Sequence, residues 1–208
     1  MGKITEIKEC RNKERVNIYI DGEFCLALDK FVAYKSFLKV GKDISENELE
    51  DIAYEEERET ALKKSVAYVS KYRVTEKKAR DYLKGKEYSP RVIEETMQKL
   101  EKYSFISDEQ YAKDFMASRL KRKGAKLIKM ELREKGVSKE IIDEIEVNPE
   151  EEKTACKKHA EKYMKNKEKT RENFAKLFKN LASKGFDFEV VKWAISEIKK
   201  GAVDEDWM

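Results

Sequence analysis

Three stretches of this chain match one another at a fixed distance of forty-nine residues with no gap: Leu83–Ile93, Leu132–Ile142 and Leu181–Val191. Each has Leu, then Lys three residues on (Lys86, Lys135, Lys184), a bulky apolar residue (Tyr88, Val137, Phe186) and a helix-capping residue (Ser89, Ser138, Asp187). An apolar pair closes each copy: Val92-Ile93, Ile141-Ile142, Val190-Val191. A constant period of this length marks stacked supersecondary units, each too small to bury much apolar surface by itself. The expected fold class is therefore mainly α: a tandem array of three-helix repeats. The second helix of each repeat ends at the recurring Leu and carries Ala79, Ile128 or Leu177 one turn earlier on the same face. The first helices carry Leu62 with Val66, Tyr111 with Phe115, and Ala160 with Met164. Gly136 and Gly185 stand where a helix C-terminal turn needs a left-handed residue, and the first repeat has Glu87 there.

Ahead of the array the pattern changes to period two. Val16–Ile20 and Phe24–Leu28 flank Asp21-Gly22, a two-residue hairpin signal, and Ile4–Glu9 supplies a possible third strand. Asp29 is placed to cap a short helix through Phe31, Val32, Tyr34 and Phe37 that ends at Val40-Gly41. Ser45–Glu48 reads as a capping box opening a long helix with apolar positions at Leu49, Ile52, Ala53, Ala61, Leu62, Val66 and Val69. Glu55, Glu56, Glu57 and Glu59 read as a solvated turn of that helix. The expected divisions are a β-hairpin appendage over residues 1–44, repeats over 45–102, 103–149 and 150–200, and an acidic tail over 201–208. The hairpin is either a cover for one end of the array or a wing that touches a partner.

A net charge of +4 conceals an asymmetry that bears on partners. Residues 1–60 hold ten Lys/Arg against fifteen Asp/Glu, whereas residues 61–200 hold thirty-six against twenty-four. The repeats are the basic part, and a polyanion is their natural partner. Arg119, Lys121, Arg122, Lys123, Lys126 and Lys129 lie within eleven residues with no acid among them, around a helix break at Gly124. Arg73, Arg122 and Arg171 follow the forty-nine-residue period, each ten residues before its Leu. One role open to them is closure of the first helix at its negative end, or pairing with a neighbouring carboxylate, while Lys86, Lys135 and Lys184 complement the negative end of the second helix; the other is a phosphate-attracting face joined by Lys77, Lys78 and Arg80.

Enzymatic chemistry finds no foothold. The single His159 has no Ser or Cys nucleophile in a recognisable elbow, no glycine-rich phosphate loop is present, and Glu94-Glu95 and Asp143-Glu144 are adjacent pairs that point apart on a helix. Cys10, Cys25 and Cys156 have no paired spacing, which argues against a disulfide framework or zinc site and for a reducing compartment. No cofactor motif is found and no apolar run reaches membrane-spanning length, so a soluble cytoplasmic protein is expected. An array with polar ends has no need to self-associate, and a monomer is expected.

The order of elements resembles the RecX family, regulators of the RecA recombinase. The carriers are Leu49 with the helix into Ala61-Leu62, Tyr88-Ser89, the run Phe105–Ala112, Arg119, Gly124, Glu131-Leu132 with Lys135–Val137, and Lys184–Phe186. The likeness spans residues 45–198, with Phe105–Val137 as its most specific part. It implies a non-enzymatic protein of tandem three-helix repeats that binds in the groove of the RecA–DNA filament and lowers its recombinase, ATPase and coprotease activities. Glu87 in place of glycine and the polar stretch Lys165–Lys169 are the departures. Two other classes stay open: a module that acts directly on DNA or RNA, by analogy with winged three-helix readers, and a protein scaffold that touches no nucleic acid.

Overall fold

The computed structural model describes residues 1–200; the expected acidic tail at 201–208 lies outside the described residues. Two compact units are present, Met1–Arg73 with Ala79–Ile106, and Val74–Lys78 with Ser107 onward.

The first unit opens on an antiparallel sheet of β1 (Gly2–Glu9), β2 (Arg15–Ile20), β3 (Glu23–Asp29) and β4 (Asp43–Ile44), ordered β3-β2-β1-β4. Asp21 and Gly22 both take positive φ, 51° and 87°, the mirror-image turn whose twist suits a two-residue hairpin. Pairing Ile7 with Ile18 and Val16 with Leu28 sets the apolar residues of the three long strands on common faces. Ile4, Val16, Ile18, Leu28, Val32, Ile44 and Ile52 form the core there. The appendage is thus a four-stranded sheet, larger than a hairpin with a possible third strand. Asp29 caps α1 (Lys30–Lys35) by accepting from the Phe31 N–H. This helix stops two residues short of Phe37, because Phe37 adopts φ +51° and turns the chain.

Ser45 opens α2 (Glu46–Lys71) with both halves of the capping box in place. The buried residues of α2 are Ile52, Ala61, Ser65 and Val69; Leu62 and Val66 are half-buried and Ala53 is exposed. The contact face is therefore rotated from the expected one, toward small residues that let α4 (Pro90–Lys102) approach closely. The glutamates at 55–57 are not solvated as expected. Glu56 accepts from the Asp29 N–H and pairs with Arg15 at 2.8 Å, Glu57 accepts from the Ser89 N–H at 2.8 Å, and Glu55 bonds Lys35 and Arg58. Three successive carboxylates thus tie the long helix to the sheet, to α1 and to the start of α4. Ser89 accordingly makes no side-chain cap: its hydroxyl donates toward Glu57.

The helices fall into three successive triplets: α2, α3 (Glu76–Lys84) and α4; α5 (Asp108–Arg119), α6 (Ala125–Glu134) and α7 (Lys139–Glu144); α8 (Pro149–Met164), α9 (Arg171–Ser183) and α10 (Phe188–Lys200). The recurring Leu83, Leu132 and Leu181 are fully buried, as are Ile128, Leu177, Val92, Ile142 and Val191. Burying a Leu of this kind contributes roughly 2 kcal/mol from transfer alone.

Within the second unit, two helix starts each donate to the carbonyl of a repeated lysine, one through a side chain and one through the backbone. The Thr75 hydroxyl donates to the Lys135 carbonyl at 2.8 Å, and the Gly124 N–H donates to the Lys184 carbonyl at 2.9 Å. Gly136 and Gly185 sit in these turns at φ 90° and 82°. A Cβ on Gly136 would collide with the Lys77 side chain, and one on Gly185 with Leu127. Glu87, at φ 60° in the first repeat's turn, is exposed. The glycines therefore serve two needs at once, a left-handed backbone and room for the helix start that lies on them.

Candidate partner-binding face

The corner between α5 and α6 is built by the chain itself. Gly124 is buried against the backbone of Gly185 and Phe186, which forces residues 120–124 into a tight turn and leaves Lys121 and Arg122 exposed. His159 on α8 fixes the turn from behind, its Nε2 lying 3.0 Å from the Arg122 carbonyl and its ring tilted against Phe186. Burial lowers the pKa of His159, against a smaller opposing effect of that hydrogen bond, and Lys184 and Lys162 lower it further. A neutral imidazole donating to a carbonyl holds the turn in place, which is a structural role.

Acids distant in sequence partly neutralise the six cations that stand together around Gly124. Lys123 and Arg119 both reach Glu131, the latter at 3.6 Å, and the Arg119 guanidinium lies over the Phe115 ring at 4.2 Å. Lys126 pairs with Asp187 at 2.8 Å, which together with the Glu189 N–H holds that carboxyl below its usual range. Lys121, Arg122 and Lys129 have no ion pair among the described residues, and Lys129 is half-buried. The exposed, unpaired charge at this corner is therefore Lys121 with Arg122. The Lys126 pair is solvent-exposed, so it contributes little and opens readily to a competing phosphate.

The other expected site residues are dispersed. Arg80 is engaged by Glu94 at 2.7 Å. Arg73 is exposed in the first unit; Lys77 and Lys78 are exposed and belong to the second, with Lys77 lying along Gly136. Arg171 borders an open hollow of about 390 Å³ with Lys169, Phe174 and Lys199. Lys121 borders another, of about 360 Å³, with Lys158, Glu150 and Glu151. The first hollow collects cations; the second mixes signs and is less suited to a polyanion.

Cys25 is exposed and Cys10 half-buried, and neither is joined in a disulfide. Cys156 is buried, and loss of solvation with help from Glu152 pushes its thiol up to about 12. Among the described residues no group of His, Cys, Asp and Glu is arranged to hold a metal, and no helix is long and apolar enough to cross a membrane. One feature escaped sequence reasoning altogether: Phe31, Tyr34 and Phe37, counted above as helix residues, are largely exposed.

Comparison with known proteins agrees with the architecture. The family model described as the regulatory protein RecX N-terminal domain matches residues 2–45, and that described as the RecX second three-helix domain matches residues 107–145. "Regulatory protein RecX" of Clostridium beijerinckii is 37% identical over 99% of this chain and 100% of its own length. The protein of the same name from Clostridium tetani is 36% identical over 95% of each chain. A crystal structure of regulatory protein RecX superposes with a TM-score of 0.78 at 26% identity, covering 95% of this chain and all of that one. RecX from Lactobacillus salivarius, 23% identical, shares the fold at a TM-score of 0.65 over 69% of this chain and 97% of its own. With relatives of this identity matched from end to end, the chain belongs to the RecX family.

Proposed function

We propose that this chain is a non-enzymatic regulator that binds the RecA–DNA filament in its groove and lowers the recombinase, ATPase and coprotease activities of RecA. The observation that carries the reading is the end-to-end match to relatives named as regulatory proteins. The basic repeats support it physically, since a filament groove exposes DNA phosphates and Lys121 and Arg122 are held outward by a turn pinned from behind. Cytoplasmic location, a monomeric state, and phosphate contacts from Arg73, Lys77, Lys78, Arg119, Lys123, Lys126, Lys129 and Arg171 belong to the same proposal.

The test is RecA ATPase on single-stranded DNA with the full chain titrated in. A dose-dependent fall is expected. Lys121→Glu with Arg122→Glu should remove the inhibition while the protein still unfolds cooperatively. Lys123 is left in place, because reversing it would set a carboxylate against Glu131. No effect of the wild-type chain at any ratio overturns the reading. Tight, sequence-selective binding to duplex DNA alone would instead favour a direct nucleic-acid reader.

A further inference from the structure

Within the first unit, the end of α2 and the body of α3 bring three tyrosines together. The Tyr68 and Tyr82 rings lie face to face, their centroids 4.1 Å apart and their planes 5° from parallel. Tyr72, one turn beyond Tyr68, stands 5.6 Å from it at a tilt of 53°. Tyr68 and Tyr82 are half-buried, and Tyr72, which ends the helix, is 49% exposed. Closing the helix pair does not require these rings. The matching positions hold Ala117, Lys121 and Glu131 in the second repeat and Asn166, Thr170 and Asn180 in the third, where the same helices form with no aromatic residue at any of the three.

The charge next to the rings is cationic. Residues 64–73 hold Lys64, Lys71 and Arg73 and no acid; residues 79–87 hold Arg80, Lys84 and Lys86 against Asp81 and Glu87. Arg80 is engaged by Glu94, whereas Lys64, Lys71, Lys84 and Lys86 are exposed and make no ion pair among the described residues. Lys71 Nζ stands 5.2 Å from the centre of the Tyr72 ring, and Lys86 Nζ 5.8 Å from that of Tyr82. Aromatic rings with cations beside them are how proteins hold a single strand without reading its sequence: bases stack on the rings while phosphates meet the cations. A duplex keeps its base faces hidden and would leave the rings idle. An acidic protein surface would engage the lysines alone. Unpaired bases on a phosphate chain match both. The repeat period adds an internal parallel, for Tyr72 occupies the place of Lys121, the outward cation of the second repeat.

We propose that Tyr72, with Tyr68 and Tyr82 stacked in line behind it, is a base-stacking site for single-stranded nucleic acid, with Lys71 and Lys86 meeting the adjoining phosphates. The site needs no recombinase, and its failure would leave the regulator reading untouched.

The test titrates the full chain, without RecA, into three labelled probes and follows fluorescence anisotropy: an oligothymidylate, an abasic oligomer with the same number of phosphates, and a duplex of the same length. Phosphate contacts elsewhere on the chain hold the first two alike and cancel in their comparison. The wild type should bind the oligothymidylate about tenfold more tightly than the abasic oligomer. Tyr72→Ser should abolish that preference and leave the affinity for the abasic oligomer unchanged, whereas Tyr72→Phe should keep it. Tyr72→Leu retains apolar bulk at the helix end and offers no ring, so it should lose the preference while melting with the wild type, even where the serine variant is less stable. Lys71→Ala with Lys86→Ala should weaken binding of both single strands. Equal wild-type affinity for the thymidylate and abasic probes, tighter binding to the duplex than to the thymidylate, or an undiminished preference in Tyr72→Leu would each overturn the proposal.

Discussion

Gly124 donates its backbone N–H to the carbonyl of Lys184 at 2.9 Å, and there is no room for a side chain where it does so. A Cβ at 124 would fall inside contact distance of the Gly185 carbonyl and the Phe186 nitrogen, both of them backbone atoms that cannot swing aside. Gly124→Ala should therefore cost about 2 kcal/mol of stability in denaturant unfolding, as overpacking does. Gly85→Ala is the control. A Cβ there finds only ordinary to slightly tight neighbours, 3.4 and 3.6 Å away, and its stability should change by no more than roughly 0.5 kcal/mol in either direction. Equal losses at the two positions would count against the contact.

Thr96 is 1% exposed, and its hydroxyl has no hydrogen-bond partner. Valine has nearly the same shape and removes the unsatisfied group. Thr96→Val should raise stability by about 1 kcal/mol, measured as a shift of the denaturant midpoint at constant slope. A loss instead would mean that the hydroxyl is satisfied in solution.

The pH dependence near neutrality should carry the mark of His159. Burial lowers its pKa in the folded chain relative to the ordinary 6.5, so the unfolded chain binds the proton more readily. The stability that follows from a neutral folded imidazole is complete above about pH 6.5 and declines as the pH falls through that value toward the lowered one. His159→Gln keeps a donor for the Arg122 carbonyl and cannot titrate. Thermal melts of the variant between pH 7.5 and 5 should show a shallower decline than the wild type; parallel curves would exclude His159 as the source.

Binding to filament DNA should weaken with salt in proportion to the phosphates contacted. Replacing Lys121 and Arg122 together by Ala should lower the slope of log affinity against log salt by about 1.5, that is 0.7 to 0.9 for each phosphate. Replacing Lys126 should change the slope less, because release of Asp187 accompanies its transfer to phosphate. Identical slopes for wild type and the double variant would remove these two residues from the DNA contact.

The repeat core was legible in the chain because it depends on spacing within a helix: Leu83, Leu132 and Leu181 are all at zero exposure. Local chemistry was equally plain at Asp21-Gly22 and in the Ser45–Glu48 box, where the partners lie within three residues. What was hidden depends on distant partners. Glu56 and Glu57 resemble a solvated run until Asp29, Arg15 and Ser89 are brought to them. The charge run 119–129 was read as six cations without acids, yet Glu131 and Asp187 neutralise half of it, and Asp187 lies sixty-one residues beyond Lys126. The face of α2 was misread because a polar residue, Ser65, occupies a buried position that a hydrophobic pattern passes over. The exposed rings of α1 and of the turn after it went unnoticed because an aromatic residue on a short helix is ordinarily part of a core.

Glu87 distinguishes a turn that begins a series from one that continues it. The turns at Gly136 and Gly185 each receive the start of an earlier helix, and a side chain there would exclude it; the turn at Glu87 is exposed and keeps its side chain. This gives the array a direction in which it can lengthen. A duplication of the last repeat would bring its own glycine with it and could stack at the C-terminal end, whereas a repeat inserted ahead of the first would meet a carboxylate side chain where it must dock. A chain of this architecture should grow from its tail, and the residue at this one position counts how many repeats stand before it: none, or at least one.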